Sequence, residues 1–509
     1  MQPISHSTLV MAATESSQSS QSSHFAASAR GVRRRSAGTL PELEDLLTAL
    51  RLDDAFTGDA VITGDDPLIN SPHRLTTASA TALLLGGAAA AAVWSARTGQ
   101  QTDVAIDAVH ALHHLHPTHF VTQQGHPMNV GAEYVAANGV FATRDGHHIM
   151  IEAGPPYRKL LNGYLEFFDC PNTKEALQHR IRQWDAEELE TALAAAGLPG
   201  CRAFTPAQWR KHPQGALLAR TPVITIDKIA DGDPVPFSTT PTAPLTGTRV
   251  LDFTHVLAGP RSTQTLAEYG ADVLHVSSPR YPDTLAQHLC VDRGKRCTYL
   301  DLARESDAEQ MRTLLADADV FASTYRPSVN ERFDLTPAAL AERSHRGIVC
   351  MTATAYGHAG PWRDRPGFDQ NAQVATGFAM TEGRGEEPRF SPVFYLADLI
   401  TGHLATAGVI AALLRRATEG GSYHVKVSLA RSAMWVQDLG TVPLDDADRA
   451  PAADDYPADI TEAPSAFGAV GQLAAALTFT NLELDPFTRL VPYDADQPQW
   501  RQHVEIEGR

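Results

Sequence analysis

Val250-Leu251-Asp252-Phe253, a helical stretch at Ser262–Tyr269 closed by Gly270, and Ala271-Asp272-Val273-Leu274-His275-Val276 decide the fold. Strand, helix and strand in that order make a βαβ unit, whose crossover lays the two strands side by side and parallel. The alternation continues downstream, with further strands expected at Ala318-Asp319-Val320-Phe321 and Gly347-Ile348-Val349-Cys350-Met351. The class is therefore α/β, a Rossmann-like and mostly parallel sheet with helices on both faces. No GxGxxG follows the first strand, so a dinucleotide site is not supported.

Beyond this run, the strongest organising signal is an internal repeat. Residues 82–108 and 403–429 each read as an alanine-rich helix, a glycine turn and an alternating strand. In ungapped register Thr77 stands opposite Asp398. Eighteen uncharged residues at 78–95 are long enough to suggest a membrane span, but the matching helix carries His403, Arg415 and Arg416. A buried helix is expected for both. Asp398 lies in Ser391-Pro392-Val393-Phe394-Tyr395-Leu396-Ala397-Asp398-Leu399-Ile400-Thr401-Gly402, read as an apolar strand breaking into a helix at Thr-Gly. A carboxylate at such a junction can serve as nucleophile or general base, or simply cap the helix.

Between the copies, Asn138–Gly146 reads as strand and tight turn, with Asp145-Gly146 closing a hairpin of a smaller α+β domain. The expected organisation is a disordered Ser/Gln-rich segment at 1–40 and a first partial copy at 41–232. A Pro/Thr-rich linker at 233–246, a second copy at 247–445 and an extension at 446–502 follow. The arginines ending the first segment loosely suggest an organelle transit peptide, the alternative to a cytoplasmic location. Residues 503–509 end in Ile506-Glu507-Gly508-Arg509, which reads as a protease-recognition remnant.

Composition narrows the function class. The chain has 509 residues, a net charge of -17 and 20% charged residues, an ordinary soluble balance that argues against nucleic acid as partner. Five scattered cysteines without a CxxC pair suit free thiols in a reducing compartment. His110, His113, His114, His116 and His119 cluster, but no acidic or cysteine ligand completes a metal set, and no metal is expected.

From Gly247 onward the chain resembles the family III CoA-transferases, the group that includes formyl-CoA and carnitine CoA-transferases. The resemblance rests on Val250–Pro260, Gly270-Ala271-Asp272-Val273, Arg293-Gly294-Lys295-Arg296 and Tyr325-Arg326-Pro327. It continues through Ala355–Pro361, Gly367-Phe368-Asp369, and Asp398 with Thr401-Gly402. Gly139-Val140-Phe141, Asp145-Gly146 and Trp209 with His212-Pro213-Gln214 match the later part of the same unit, so a rear portion precedes a front portion.

The resemblance implies a CoA-transferase that moves CoA between an acyl-CoA thioester and a carboxylic acid, with Asp398 as nucleophile and aspartyl anhydride and thioester intermediates. It implies CoA contacts at His255, Val256, Ala258, Leu300, Thr324, Tyr325, Arg326, Arg332 and Tyr356, guanidinium groups being suited to phosphate. Coenzyme A enters as acyl-CoA substrate, with a small carboxylic acid as the other partner. Family members form interlocked homodimers, and two partial copies in one chain allow either a homodimer or a pseudo-dimeric monomer. Leu257, Ala303, Thr354 and Phe368 depart from the family pattern. Phe368 replaces the histidine a racemase would use, which favours transferase over an acyl-CoA racemase. A non-catalytic acyl-CoA-binding protein is the other alternative. Asp369 is expected to cap or turn, and Asp252 to serve the fold.

Overall fold

A seven-stranded sheet lies at the centre of the molecule. In chain order its strands are β1 (Thr225–Ala230), β2 (Arg249–Phe253), β3 (Asp272–Ser277), β4 (Arg296–Tyr299), β5 (Val320–Ser323), β6 (Val349–Thr354) and β7 (Ser422–Ser428). Their spatial order is β4-β3-β2-β5-β6-β7-β1. All neighbours run parallel except β1, which pairs antiparallel with β7 at the edge. The computed structural model describes Arg34–Arg35 and residues 40–501, apart from 65, 129–134, 155–156, 239, 453–454 and 485–488. The readings of the Ser/Gln-rich start and of Ile506–Arg509 therefore fall outside the described residues, Arg34 and Arg35 excepted.

Residues of β5 and β6 are buried throughout, as expected of strands covered on both faces. The strand order turns at β2, between β3 and β5, which opens a crevice at the carboxyl ends of β2 and β5. Expected strand positions are met within a few residues. The helix after β2 begins earlier than expected, and we call it α2 (Ala258–Glu268).

A long helix occupies each of the two similar stretches. Helix α1 (Leu75–Thr98) and helix α3 (Leu396–Glu419) each have 24 residues and start and end at the same offset, 396 − 75 = 321 and 419 − 98 = 321. Gly99 and Gly420 close them, both at positive φ. The helices pack on each other, and α3 also packs on α2. Contact with α2 is close because residue 402 has no side chain: a Cβ there would lie 2.6 Å from the Ala258 carbonyl oxygen. Both helices are long and apolar enough to cross a membrane, yet their apolar stretches are wholly buried inside the protein.

A smaller layer precedes the sheet in sequence. Strands Asn138–Ala142, His148–Glu152 and Gly200–Arg202 form an antiparallel sheet. It is backed by helices Arg158–Phe168, Lys174–Ile181 and Ala186–Ala195 around Phe141, Ile151, Tyr164 and Leu189. Asp145-Gly146 makes the expected turn, with Gly146 at φ +77°.

The first half is then locked into the second. The Trp209 and His212 rings stack at 5.2 Å and meet Trp362. The buried Gln214 amide donates to the carbonyls of Tyr356 and Ala359 and accepts from the Trp362 N–H. The Pro/Thr-rich stretch is also held, since the Arg97 guanidinium donates to Pro244, Thr246 and Ser238.

Candidate active site

Asp398 sits within the first turn of α3, and the local structure differs from the sequence expectation. Ser391–Tyr395 forms bends and a turn instead of a strand, the helix begins at Leu396, and Thr401 and Gly402 lie inside it. Packing of α3 on α1 and α2 buries Leu396–Ile400 as helix. Asp398 does not cap the helix either. Asp369 does, accepting the N–H of Asp398 at 2.7 Å and that of Ala397.

The first copy preserves this cap without the reactive group. There Asp66 accepts from the N–H groups of Thr76 and Thr77 at 3.0 and 2.9 Å, and from the Thr77 hydroxyl at 2.6 Å. The same offset relates Thr76 to Ala397 and Thr77 to Asp398, 397 − 76 = 321 and 398 − 77 = 321. Beside Thr77 the structure leaves only about 10 Å³ of free space, room for a water molecule at most.

Asp398 opens on a cleft of about 470 Å³. His255, Val256 and Ala258 line it from the loop after β2 and the start of α2, and Thr324, Tyr325, Arg326 and Arg332 from the segment after β5. Burial is graded along it: Asp398 is 6% exposed, whereas Arg326, Arg332 and Lys159 are exposed. His255 stacks on Tyr325 at 4.5 Å and shares a hydrogen bond with the Thr324 hydroxyl at 2.7 Å, and its burial pushes the imidazole down to about 4. The ring is therefore neutral at physiological pH.

Two residues expected in the site lie elsewhere. Leu300 is packed in the core with Met311, Leu314 and Phe321, because it follows the buried edge strand β4. Tyr356 is buried beneath Gly367, where a Cβ would come within 2.9 Å of its hydroxyl. Neither lines the cleft.

Sequence reasoning missed the opposite wall. Tyr157, Lys159, Leu160, Gly197 and Pro199 of the small layer, with Tyr281, Phe368 and Leu429, complete the cleft. Tyr157 lies 398 − 157 = 241 residues from Asp398, and no local pattern could have joined them. The small layer also brings Glu152 near Asp398 and Asp369. Burial first, then the like charges of the other two, pushes the Glu152 carboxyl well above its usual range. Burial and Asp369 do the same to Asp398. The three groups hold protons more tightly than free carboxylates.

Backbone strain marks the loop after β2. Val256, a β-branched residue, has φ +68°, a conformation such residues rarely adopt. The Asp283 carboxylate holds it there by accepting the Val256 N–H at 2.9 Å, and burial pushes this acid up to about 6. Beneath the loop lies a buried charge network. Lys295, fully buried, donates from Nζ to Asp252 Oδ2 at 2.8 Å, Asp292 Oδ1 at 2.9 Å and the Pro260 carbonyl at 2.9 Å. Asp252 in turn accepts from the Thr254 N–H and hydroxyl, so it does serve the fold.

Asp252, His275 and Asp292 are the one group among the described residues spaced to hold a metal ion, but the Lys295 ammonium already bonds to two of them. In the histidine cluster, His110 and His114 meet at 3.3 Å and bond to the carbonyls of Ala475 and Ala474.

Residues 245–453 match the model of CoA-transferase family III. An acetyl-coenzyme A transferase of Hypoxylon pulicicidum, nodX, is 30% identical over 345 residues, 63% of this chain and 58% of that protein. The β subunit of a succinyl-CoA–L-malate CoA-transferase of Chloroflexus aurantiacus is 33% identical over 216 residues, 39% of this chain and 52% of that protein. The crystal structure of Rv3272 from Mycobacterium tuberculosis is 35% identical, with a TM-score of 0.36, over 39% of this chain and 57% of that one. The chain thus spans about half to three-fifths of the length of these relatives.

Proposed function

We propose that the chain is a CoA-transferase that passes CoA from an acyl-CoA thioester to a carboxylic acid, with Asp398 as nucleophile. One observation carries the reading: a buried carboxylate opens on a cleft that is also lined by the exposed cations Arg326, Arg332 and Lys159. A long ligand with an anionic head and a reactive acyl tail fits that gradient, with guanidinium groups meeting phosphate. Arg332 lies over the Phe333 ring at 5.3 Å, which leaves its N–H fork available for such a contact.

The ionised Asp398 attacks the thioester carbonyl, giving a tetrahedral oxyanion, which collapses to an aspartyl mixed anhydride as thiolate leaves. Thiolate then attacks the aspartyl carbonyl, forms the enzyme–CoA thioester and releases the donor acid. The acceptor carboxylate attacks the aspartyl thioester and expels CoA thiolate, giving a second anhydride. Thiolate then attacks the acceptor's acyl carbon, releasing the new acyl-CoA and the free Asp398 carboxylate. Covalent relay of this kind predicts ping-pong kinetics. The cleft wall opposite Asp398 comes from the same chain, so we read one chain as sufficient for a complete cleft.

Hydroxylamine trapping during turnover, followed by peptide mass spectrometry, should give a hydroxamate at Asp398. Asp398→Ala should abolish turnover and leave CoA binding within a few-fold. Full activity in that variant rejects the assignment. Exchange of an α-proton in deuterated water without any acceptor acid would instead favour the racemase reading, which Phe368 disfavours.

A further inference from the structure

The backbone donors next to Asp398 in sequence are already spent. The N–H groups of Ala397 and Asp398 go to Asp369, and that of Leu399 to the Tyr395 carbonyl. Around the cleft, the Val256 N–H goes to Asp283 and the His255 N–H to Thr324. The oxyanion formed when a carboxylate attacks a thioester needs a donor in a dry site. Tyr157 has one to offer. Its hydroxyl is buried and finds no partner among the described residues.

An unsatisfied buried hydroxyl costs free energy and calls for an explanation. Here the ring is held from three sides. The Phe368 ring lies 5.6 Å away, the His255 ring 6.3 Å away at a right angle, and the backbone N–H of Tyr157 bonds to the Gly154 carbonyl at 3.0 Å. Position 154 has to be glycine for this pose, since it has φ +53° and a Cβ there would sit 3.3 Å from the Tyr157 ring. Tyr157 and Asp398 face the same cleft from opposite halves of the chain.

We propose that Tyr157 is a catalytic residue whose phenolic O–H stabilises the oxyanion raised on the thioester carbonyl by Asp398. The inference rests on the transferase reading. In the step, a C–O bond forms from an Asp398 oxygen to the acyl carbon and the carbonyl π pair moves onto oxygen. That oxygen accepts the Tyr157 hydrogen bond. The π bond then re-forms, the C–S bond breaks, and sulfur leaves as thiolate with the electron pair. The phenol keeps its proton throughout. Burial first, then the negative groups Asp283, Tyr325 and Asp398, pushes its ionisation well above the usual tyrosine range. Tyr157 is therefore a donor across the working pH range.

The test is Tyr157→Phe, which keeps the ring and removes one oxygen. With acetyl-CoA or succinyl-CoA as donor, whichever the wild type turns over, kcat should fall on the order of 100- to 1000-fold, the scale of losing one oxyanion donor. KM and the Kd for CoA should stay within about twofold. The melting temperature should hold or rise, because the lost hydroxyl has no partner to strand. A kcat within about threefold of wild type overturns the proposal. So does a matching loss in CoA affinity, or a clear drop in melting temperature, since either would give the hydroxyl a binding or structural role. Inactive Asp398→Ala beside fully active Tyr157→Phe sinks this proposal alone, whereas active Asp398→Ala sinks the transferase reading beneath it.

Discussion

Replacing Lys295 with methionine tests whether the buried charge network sets the shape of the cleft. Lys295 Nζ makes three hydrogen bonds of 2.8–2.9 Å, two of them to carboxylates, with no exposure to water. Removing one partner of a buried ion pair costs about 3–5 kcal/mol, because the other charge stays behind. The lower end applies here. Asp252 keeps the hydrogen bonds it accepts from Thr263 at 2.7 Å and from His275 at 3.1 Å, and Asp292 keeps His288 at 2.8 Å. A loss of about 3 kcal/mol corresponds to a melting-point drop on the order of 3 °C for a compact unit of this size, at about 2.1 cal/mol/K per residue.

The pH dependence has a definite sign. Burial opposes ionisation of Asp252 and Asp292, but Lys295 and His275 outweigh it and hold both below the usual carboxylate range. Their stabilising contribution is present above the unfolded value of about 4 and lost as the pH falls through the folded one. In Lys295→Met both acids titrate higher, so acid relieves the stranded charge. The melting gap between wild type and variant should be widest near neutral pH and should narrow toward pH 5. Differential scanning calorimetry with parallel CoA titrations reads both effects. CoA affinity should fall as well, since Asp252 anchors Thr254 just ahead of the cleft-lining His255. A drop under 2 °C, or a gap that widens in acid, would refute the reasoning.

Asp283→Asn keeps an acceptor for the Val256 N–H and should bind CoA within about twofold of wild type near pH 7.5. Asp283→Ala releases a strained residue and should bind on the order of tenfold more weakly, by isothermal titration. Glu152, held protonated by burial and its acidic neighbours, binds its proton more tightly folded than unfolded. Its contribution to stability therefore falls as pH rises through its folded value, and Glu152→Gln should melt higher than wild type at pH 8. Gly402→Leu places side-chain atoms against the Ala258 carbonyl, 2.6 Å from the Cβ position. It should separate α2 from α3 and remove activity, whereas Gly86, whose nearest such contact is 3.9 Å, should accept alanine. Equal activity losses for both would contradict the packing account.

Sequence alone determined what depends on neighbours along the chain. The βαβ alternation from Val250, the parallel sheet, the hairpin at Asp145-Gly146 and the two alanine-rich helices are local periodicities, and the fold keeps all of them. Asp398 could be singled out because its flanking residues form a motif. Tertiary structure decided what depends on distant segments. Packing made Ser391–Tyr395 a turn where its residues favour strand, assigned the helix cap to Asp369, and withdrew Leu300 and Tyr356 into cores. It also set Tyr157 and Glu152, more than two hundred residues upstream, against the same acid. A period of hydrophobicity records which face of a segment is buried, but not which partner buries it. Here the partner is the other half of the chain.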